Sequence, residues 1–132
     1  MSEVKWLAGI AVVEDERDLV NVYIRLFNKR GIPVSFVAYD GNEALLKFIA
    51  STPKPHIIMM DYRLPTMNGI ETMKKIFEID PDTKIIFLSA DVSVKEEAMH
   101  AGAFIFLTKP ARIKDATNAI DAVIKSYPQL IY

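Results

Sequence analysis

Charged and hydroxyl side chains follow short apolar runs of this sequence, each at the point where a run ends. Glu14 and Asp15 come directly after the first run, and Asp61 follows the third. Ser89 and Lys109 come after the fourth and the fifth. If these runs are parallel strands of one open sheet, their carboxyl ends meet at the edge where ligands bind in such sheets. The spacing therefore predicts one polar site built from carboxylates, a hydroxyl and an amine.

The acids of this site are typical of a divalent-cation site. Two carboxylates about 4 Å apart repel each other by roughly 4 kcal/mol at an effective dielectric constant of about 20. Glu14, Asp15 and Asp61 therefore need a cation in order to lie together, and their hard oxygen ligands favour Mg²⁺ or a similar divalent ion. Lys109, placed opposite the acids, is predicted to act electrostatically. Glu16, by contrast, is interpreted as an ordinary helix-cap or solvated loop residue.

The chain has the composition of one ordinary globular domain. It contains 132 residues, of which 51% are hydrophobic and 25% charged, and its net charge is -1, so it has no basic field that would hold nucleic acid. The lack of cysteine excludes disulfide, cysteine–zinc and thiol chemistry. The longest apolar stretch, 6–13, is too short to span a bilayer and lacks the features of a signal peptide. We expect a cytoplasmic protein that neither enters a membrane nor binds nucleic acid directly.

Strand-like and helix-like patterns alternate along the whole sequence. Continuous apolar runs typical of strands buried on both faces occupy 7–13, 33–39, 56–60, 84–88 and 104–107. Apolar residues recur at helical spacing over 17–30, 69–79, 93–101 and 113–127. A further helical segment begins after Asp40, which is predicted to cap it. Five β-α units in a row predict an α/β fold with a five-stranded parallel sheet and helices on both faces. We expect residues 1–132 to form a single domain with no output domain in the chain.

Four short motifs fall in order at the ends of the predicted strands. They are Val12-Val13-Glu14-Asp15, the segment MDYRLPTMNG over 60–69, Leu88-Ser89-Ala90, and Phe106-Leu107-Thr108-Lys109-Pro110. In this order the chain resembles the receiver domain of two-component response regulators over nearly its whole length. The resemblance implies a flavodoxin-like doubly wound sheet with strand order 2-1-3-4-5, and phosphorylation on an aspartate.

The resemblance assigns roles to the acids and to the loop that follows the third strand. It implies that Asp61 is the phosphoacceptor and a metal ligand, and that Asp15 is the direct ligand of Mg²⁺ or Mn²⁺. Glu14 is implied to be the companion acid that acts through water, and the backbone carbonyl of Arg63 a further ligand.

The remaining motif residues are implied to sense and report the phosphoryl group. Ser89 is similar to the hydroxyl that closes on this group, Lys109 to its counter-charge, and Phe106 to the aromatic switch residue. Pro65 and Gly69 are implied to shape the loop after the phosphoacceptor.

Some features distinguish this chain from the commonest family pattern. The acid pair is Glu14-Asp15 rather than two aspartates, which keeps the direct metal ligand. The switch position holds Phe106 rather than tyrosine, so it has no hydroxyl to bond the backbone once it is buried. A feature that the chain is expected to share with the family is the peptide bond before Pro110, which the family usually holds cis.

The resemblance also implies partners and the kind of activity. The phosphoryl group would come from a sensor histidine kinase or a phosphotransfer protein. The response would be a repacked face made of the fourth helix, the fifth strand and the fifth helix, which would contact a downstream target or a second copy of the chain. The protein would be no enzyme beyond its own Mg²⁺-dependent phosphorylation and dephosphorylation.

Two charged residues border the predicted site and are interpreted as modulators of the phosphorylated lifetime. Arg63 lies two residues after Asp61, and Asp91 lies two residues after Ser89. Their side chains should project over the mouth of the site from opposite sides. We expect the pair to shield the phosphoryl group from water.

Three other functions could use some of the same residues. A haloacid-type phosphohydrolase also uses an aspartate nucleophile, but it needs a second acid two residues later, where this chain has Arg63. A flavodoxin-like FMN binder would share the fold, but the acids at 14–16 would repel its phosphate. A receiver-like interaction module that is never phosphorylated would have no need of the full set of site residues.

Overall fold

The computed structural model describes residues 9–127, together with the backbone of residues 5–6 and 130–131. The strands are β1 (Lys5–Trp6), β2 (Ile10–Val13), β3 (Val34–Ala38), β4 (Ile57–Asp61), β5 (Lys84–Ser89), β6 (Ile105–Thr108) and β7 (Leu130–Ile131). The α-helices are α1 (Arg17–Lys29), α2 (Gly41–Ala50), α3 (Gly69–Ile79), α4 (Lys95–His100) and α5 (Ile113–Lys125). Within these described parts, no helix has the length and apolar character needed to cross a membrane.

The main sheet has five parallel strands in the order β3-β2-β4-β5-β6. Counted along this sheet alone, the order is 2-1-3-4-5, which confirms the expected fold. β1 and β7 form a separate parallel pair, which the sequence patterns did not predict.

Helices cover both faces of the main sheet. Because side chains alternate along a strand, Ile10 and Val12 of β2 face one layer while Ala11 and Val13 face the other. The first layer contains the apolar faces of α1 and α5. The second contains those of α2, α3 and α4. Both faces of the central strands are therefore buried, which explains why their sequences are continuous apolar runs.

Several predicted boundaries differ from the structure. The first strand, predicted over 7–13, begins at Ile10, because Gly9 has a φ of 137° that no strand residue adopts; residues 7–8 lie outside the described part. The strands predicted over 56–60 and 84–88 are β4 and β5, and each ends one residue later than predicted, at Asp61 and Ser89. The fourth helix, predicted over 93–101, is a 3₁₀ turn at Val92–Val94 followed by α4.

Candidate functional site

The carboxyl edge of the sheet brings the predicted site residues together. Glu14 directly follows β2, Asp61 and Ser89 end β4 and β5, and Lys109 directly follows β6. Glu14, Asp61 and Ser89 are 3%, 5% and 2% exposed. Carboxylates are almost never buried this deeply unless they are paired. The site thus concentrates charge at a place where water is largely excluded.

Three carboxylates form a cluster at this edge. One oxygen each of Glu14, Asp15 and Asp61 lie within 4.8 Å of one another. Glu14 and Asp61 are buried, whereas Asp15 is exposed at the mouth of the cluster. This donor set, composed of hard oxygens, fits Mg²⁺ or Mn²⁺, with Asp15 on the side from which an ion would enter.

Lys109 is the cation that pairs with the buried acids. Its Nζ lies 2.5 Å from Oε1 of Glu14 and 2.9 Å from Oδ1 of Asp61. Its backbone N–H donates to the carbonyl of Ser89 at 3.0 Å, and its peptide bond to Pro110 is cis, as expected. The hydrogen bond anchors the backbone of Lys109 to the end of β5, and the two ion pairs hold its ammonium beside the buried acids.

Burial and pairing shift the ionisation of these groups in opposing ways. Burial raises the pKa of both Glu14 and Asp61 above their ordinary values, and the hydrogen bonds from Lys109 only partly counteract it. Burial lowers the pKa of Lys109, but its bonds to Glu14 and Asp61 outweigh this and raise the pKa above the ordinary value. One ammonium facing three carboxylates leaves negative charge in excess, which favours binding of a further cation.

The loop between Asp61 and Gly69 forms one wall of a cleft beside the acids. A cleft of about 410 Å³ is lined by Asp15, Tyr62, Arg63, Leu64, Pro65 and Asn68. The backbone N–H of Gly69 donates to the carbonyl of Tyr62 at 2.8 Å. A Cβ at Gly69 would lie 2.1 Å from the carbonyl oxygen of Asp61, so only glycine permits the loop to close this tightly. The predicted importance of Gly69 for the loop therefore has a steric basis.

Arg63, which lines the cleft, lies near Asp91, in the segment that follows Ser89. The Oγ of Ser89 accepts a hydrogen bond from the backbone N–H of Asp91 at 3.0 Å. Nη2 of Arg63 lies 4.0 Å from Oδ2 of Asp91, so the two charges meet at the limit of an ion pair. Oδ1 of Asp91 accepts from the N–H and the hydroxyl of Ser93. These bonds hold the pKa of Asp91 below its usual value.

Phe106 is half-buried and belongs to an aromatic row that starts at the site. Its ring stacks on that of Phe87 at a centroid distance of 6.0 Å, and Phe87 in turn contacts Tyr62 at 6.2 Å. Tyr62 directly follows Asp61 in the chain. The predicted switch residue therefore connects through packed rings to the loop that bears Asp61.

Sequence reasoning missed the contribution of two residues beside the site. Asp40 caps α2 as predicted, accepting from the N–H of Glu43 at 2.8 Å, and its carboxylate also accepts from the hydroxyl of Thr66 at 3.2 Å. Thr66 has a positive φ of 68°. No local pattern predicts this contact, because it depends on how the loop after β4 packs against α2.

Known proteins are similar to this chain in sequence and in fold. Residues 10–121 match the response regulator receiver domain family. The chemotaxis protein CheY of Thermotoga maritima is 35% identical over 88% of this chain and 97% of that protein. The sporulation initiation phosphotransferase F of Bacillus subtilis is 28% identical over 84% of this chain and 89% of that protein.

A solved structure agrees with the sequence matches. The receiver domain protein from Clostridium thermocellum superposes with a TM-score of 0.84 at 27% identity, covering 92% of this chain and 98% of that one. These matches favour the receiver interpretation over the hydrolase, FMN-binding and unphosphorylated alternatives. The chain therefore belongs to the receiver domain family of response regulators, the phosphoacceptor signalling domains of two-component systems.

Proposed function

We propose that Asp61 of this chain accepts the phosphoryl group. The observation that carries the proposal is the burial of Asp61, which is 5% exposed, beside the ammonium of Lys109 and within the acid cluster that it forms with Glu14 and Asp15. Asp15 would bind Mg²⁺ or Mn²⁺ directly and Glu14 would act through water. Asp61 and the backbone carbonyl of Arg63, a residue of the cleft wall, would complete the ligand set.

In the proposed transfer, a carboxylate oxygen of Asp61 forms a bond to phosphorus. The bond between phosphorus and the donor nitrogen of a kinase or phosphotransfer-protein histidine breaks, and the nitrogen keeps its electron pair. A bound divalent ion would supply positive charge to the phosphoryl oxygens. Lys109 adds its ammonium, and the hydroxyl of Ser89 donates a hydrogen bond to one of these oxygens.

The same hydroxyl begins the proposed switch. Ser89 now accepts from the N–H of Asp91, so its movement toward the phosphoryl group would displace the segment that starts at Asp91 and leads into α4. Phe106 packs on Phe87 of the same strand as Ser89 and would turn inward as space opens. The outcome would be a repacked face of α4, β6 and α5.

The direct test is the intact mass of the protein after incubation with acetyl phosphate and Mg²⁺. We expect wild type to gain the mass of a single phosphoryl group, and Asp61→Asn to gain none because the amide cannot act as the nucleophile. Glu16→Gln, which changes an exposed acid near the cluster, serves as a control that should be modified like wild type. Phosphorylation of Asp61→Asn to the wild-type extent would contradict the assignment.

Arg63 and Asp91 are expected to lengthen the life of the phosphorylated state. An exposed pair of this kind contributes little to stability, so its expected effect is on the rate of hydrolysis and is modest. We expect Arg63→Ala and Asp91→Ala each to accelerate loss of phosphate, and the double variant to add little more because both changes open the same pair.

The measurement is the rate of dephosphorylation after removal of the phosphodonor. Lys47→Ala, which breaks the exposed pair of Lys47 and Glu43 on α2, is the matched control and should leave the rate unchanged. Slower loss in Asp91→Ala would show that the acid orients the attacking water, and the shielding role would then be wrong.

We further propose that the α4, β6 and α5 face binds the downstream target or a second copy of the chain. Val92, in the turn before α4, is 64% exposed, and Met99 on α4 is 38% exposed. Phe106 of β6 is half-buried. Sedimentation with Mg²⁺ and beryllofluoride tests the second possibility. If a second copy binds this face, wild type should double its mass while Asp61→Asn stays unchanged; no change in either would exclude the homodimer and leave a different protein as the partner.

A further inference from the structure

Thr66, in the loop after β4, has a backbone conformation that β-branched residues rarely adopt. Its φ of 68° lies in the left-handed region, where Cβ crowds the backbone of an L-residue. Such residues persist only where their surroundings over-determine the conformation. The contacts of Thr66 must therefore hold it in place.

Those contacts reach the N-terminus of α2. The Oγ1 of Thr66 accepts a hydrogen bond from the backbone N–H of Asn42 at 3.1 Å and donates to Oδ1 of Asp40 at 3.2 Å. The carbonyl of Pro65 accepts from the N–H of Gly41 at 3.2 Å. The Thr66 hydroxyl thus satisfies one of the free donors of the first helical turn and at the same time binds the capping aspartate.

Gly41 allows the loop and the helix to approach this closely. A Cβ at Gly41 would lie 2.3 Å from the carbonyl oxygen of Met67 and 2.6 Å from Oγ1 of Thr72. Both distances are too short for a side chain at position 41 to fit. The loop after β4 and the start of α2 are therefore in direct backbone contact on either side of Thr66.

The segment held in this way contains Arg63, whose backbone carbonyl is the proposed metal ligand. At one end, the backbone N–H of Tyr62 donates to the carbonyl of Leu88 at 3.0 Å, and the carbonyl of Tyr62 accepts from Gly69. Arg63 lies between this closure and the α2 contact. The position of its carbonyl relative to Asp61 thus depends on both attachments of the loop.

We infer that Thr66 is a positioning residue for phosphoryl transfer: its hydroxyl, bound to the start of α2, fixes the loop that carries the Arg63 carbonyl beside Asp61. The inference rests on the proposed function of Asp61. Thr66 lies outside the acid cluster, so its effect would pass through the backbone of the loop. Removing the hydroxyl should weaken both Mg²⁺ binding and phosphorylation.

The test compares Thr66→Ala with Thr66→Ser. We expect Thr66→Ala to raise the Mg²⁺ dissociation constant about five-fold, the equilibrium equivalent of one lost hydrogen bond, and to slow phosphorylation by acetyl phosphate. Thr66→Ser keeps the hydroxyl and should restore both values toward wild type. Calorimetric titration measures the Mg²⁺ dissociation constant, and the rate of mass gain measures phosphorylation. Both are carried out at a temperature well below the melting temperature of the variants.

Thr66→Gly separates positioning from stability. Glycine adopts a positive φ without strain, so this variant should unfold at a higher temperature than Thr66→Ala while binding Mg²⁺ no better. Ser51→Ala, which removes a hydroxyl bound to a carbonyl at the other end of α2, is the matched control and should leave Mg²⁺ binding unchanged.

Two results would overturn the inference. One is an unchanged Mg²⁺ dissociation constant in Thr66→Ala, and the other is full recovery of Mg²⁺ binding in Thr66→Gly. Failure of the proposed function is distinguishable, because wild type itself would then neither bind Mg²⁺ nor gain a phosphoryl group.

Discussion

Replacing Lys109 by methionine should lower the free energy of unfolding by about 3–5 kcal/mol at neutral pH in the presence of a chelator. This is the usual cost of removing one partner of a buried ion pair. Its Nζ lies within 2.9 Å of both Glu14 and Asp61, whose side chains are 3% and 7% exposed. Without the ammonium, two buried carboxylates face each other with no cation between them. Urea denaturation of wild type and Lys109→Met measures the difference.

The pH dependence of this loss identifies its cause. Burial raises the pKa of Glu14 and Asp61 above their ordinary values of 4.5 and 3.8, and loss of Lys109 should raise them further. A raised folded-state pKa means that the native state binds protons more readily than the unfolded state, so stability is regained as pH falls and lost as pH rises. The deficit of Lys109→Met should therefore shrink between neutral pH and about pH 5.

An exposed lysine provides the control for this prediction. Lys74→Met on α3 removes the same charge from an exposed position and should change stability by no more than about 0.5 kcal/mol. A deficit in Lys109→Met that is independent of pH would show that lost packing, rather than unpaired charge, causes it. An equal loss in both variants would show that the pairing contributes nothing.

Asp15→Asn is expected to abolish the stabilisation of the protein by Mg²⁺. At a free concentration 100 times the dissociation constant, a ligand that binds only the folded state adds about 2.7 kcal/mol, and wild type should show this gain. Asp15 is the exposed acid of the cluster and the proposed direct ligand. Without metal, the same substitution should raise the melting temperature, because it removes one of three mutually repelling charges.

Glu16→Gln is the matched control, since it neutralises an exposed acid next in sequence that is not part of the cluster. Its thermal shift with Mg²⁺ should equal that of wild type. Thermal unfolding with and without Mg²⁺ provides the comparison. Equal shifts in wild type and Asp15→Asn would show that the ion binds elsewhere or not at all.

The pattern of apolar runs and polar residues predicts which residues form the sheet and which lie at its functional edge. A strand covered by helices on both faces must be apolar along its whole length, so polar residues can appear only where the chain leaves the sheet. Glu14, Asp61, Ser89 and Lys109 follow from this constraint, because parallel strands place their carboxyl ends at one edge. The helix beginning after Asp40 was equally predictable, since capping depends on residues within one turn.

The contacts that connect these residues to one another are not predictable from local sequence, because they arise when distant elements pack together. Lys109 bridges Glu14 and Asp61 because the register of β2, β4 and β6 brings together residues that are far apart in the chain. The positive φ of Thr66 is likewise held by α2, an element more than 15 residues earlier in the sequence. Local sequence sets periodicity and capping, but such contacts arise from packing between elements, which no short pattern of residues encodes.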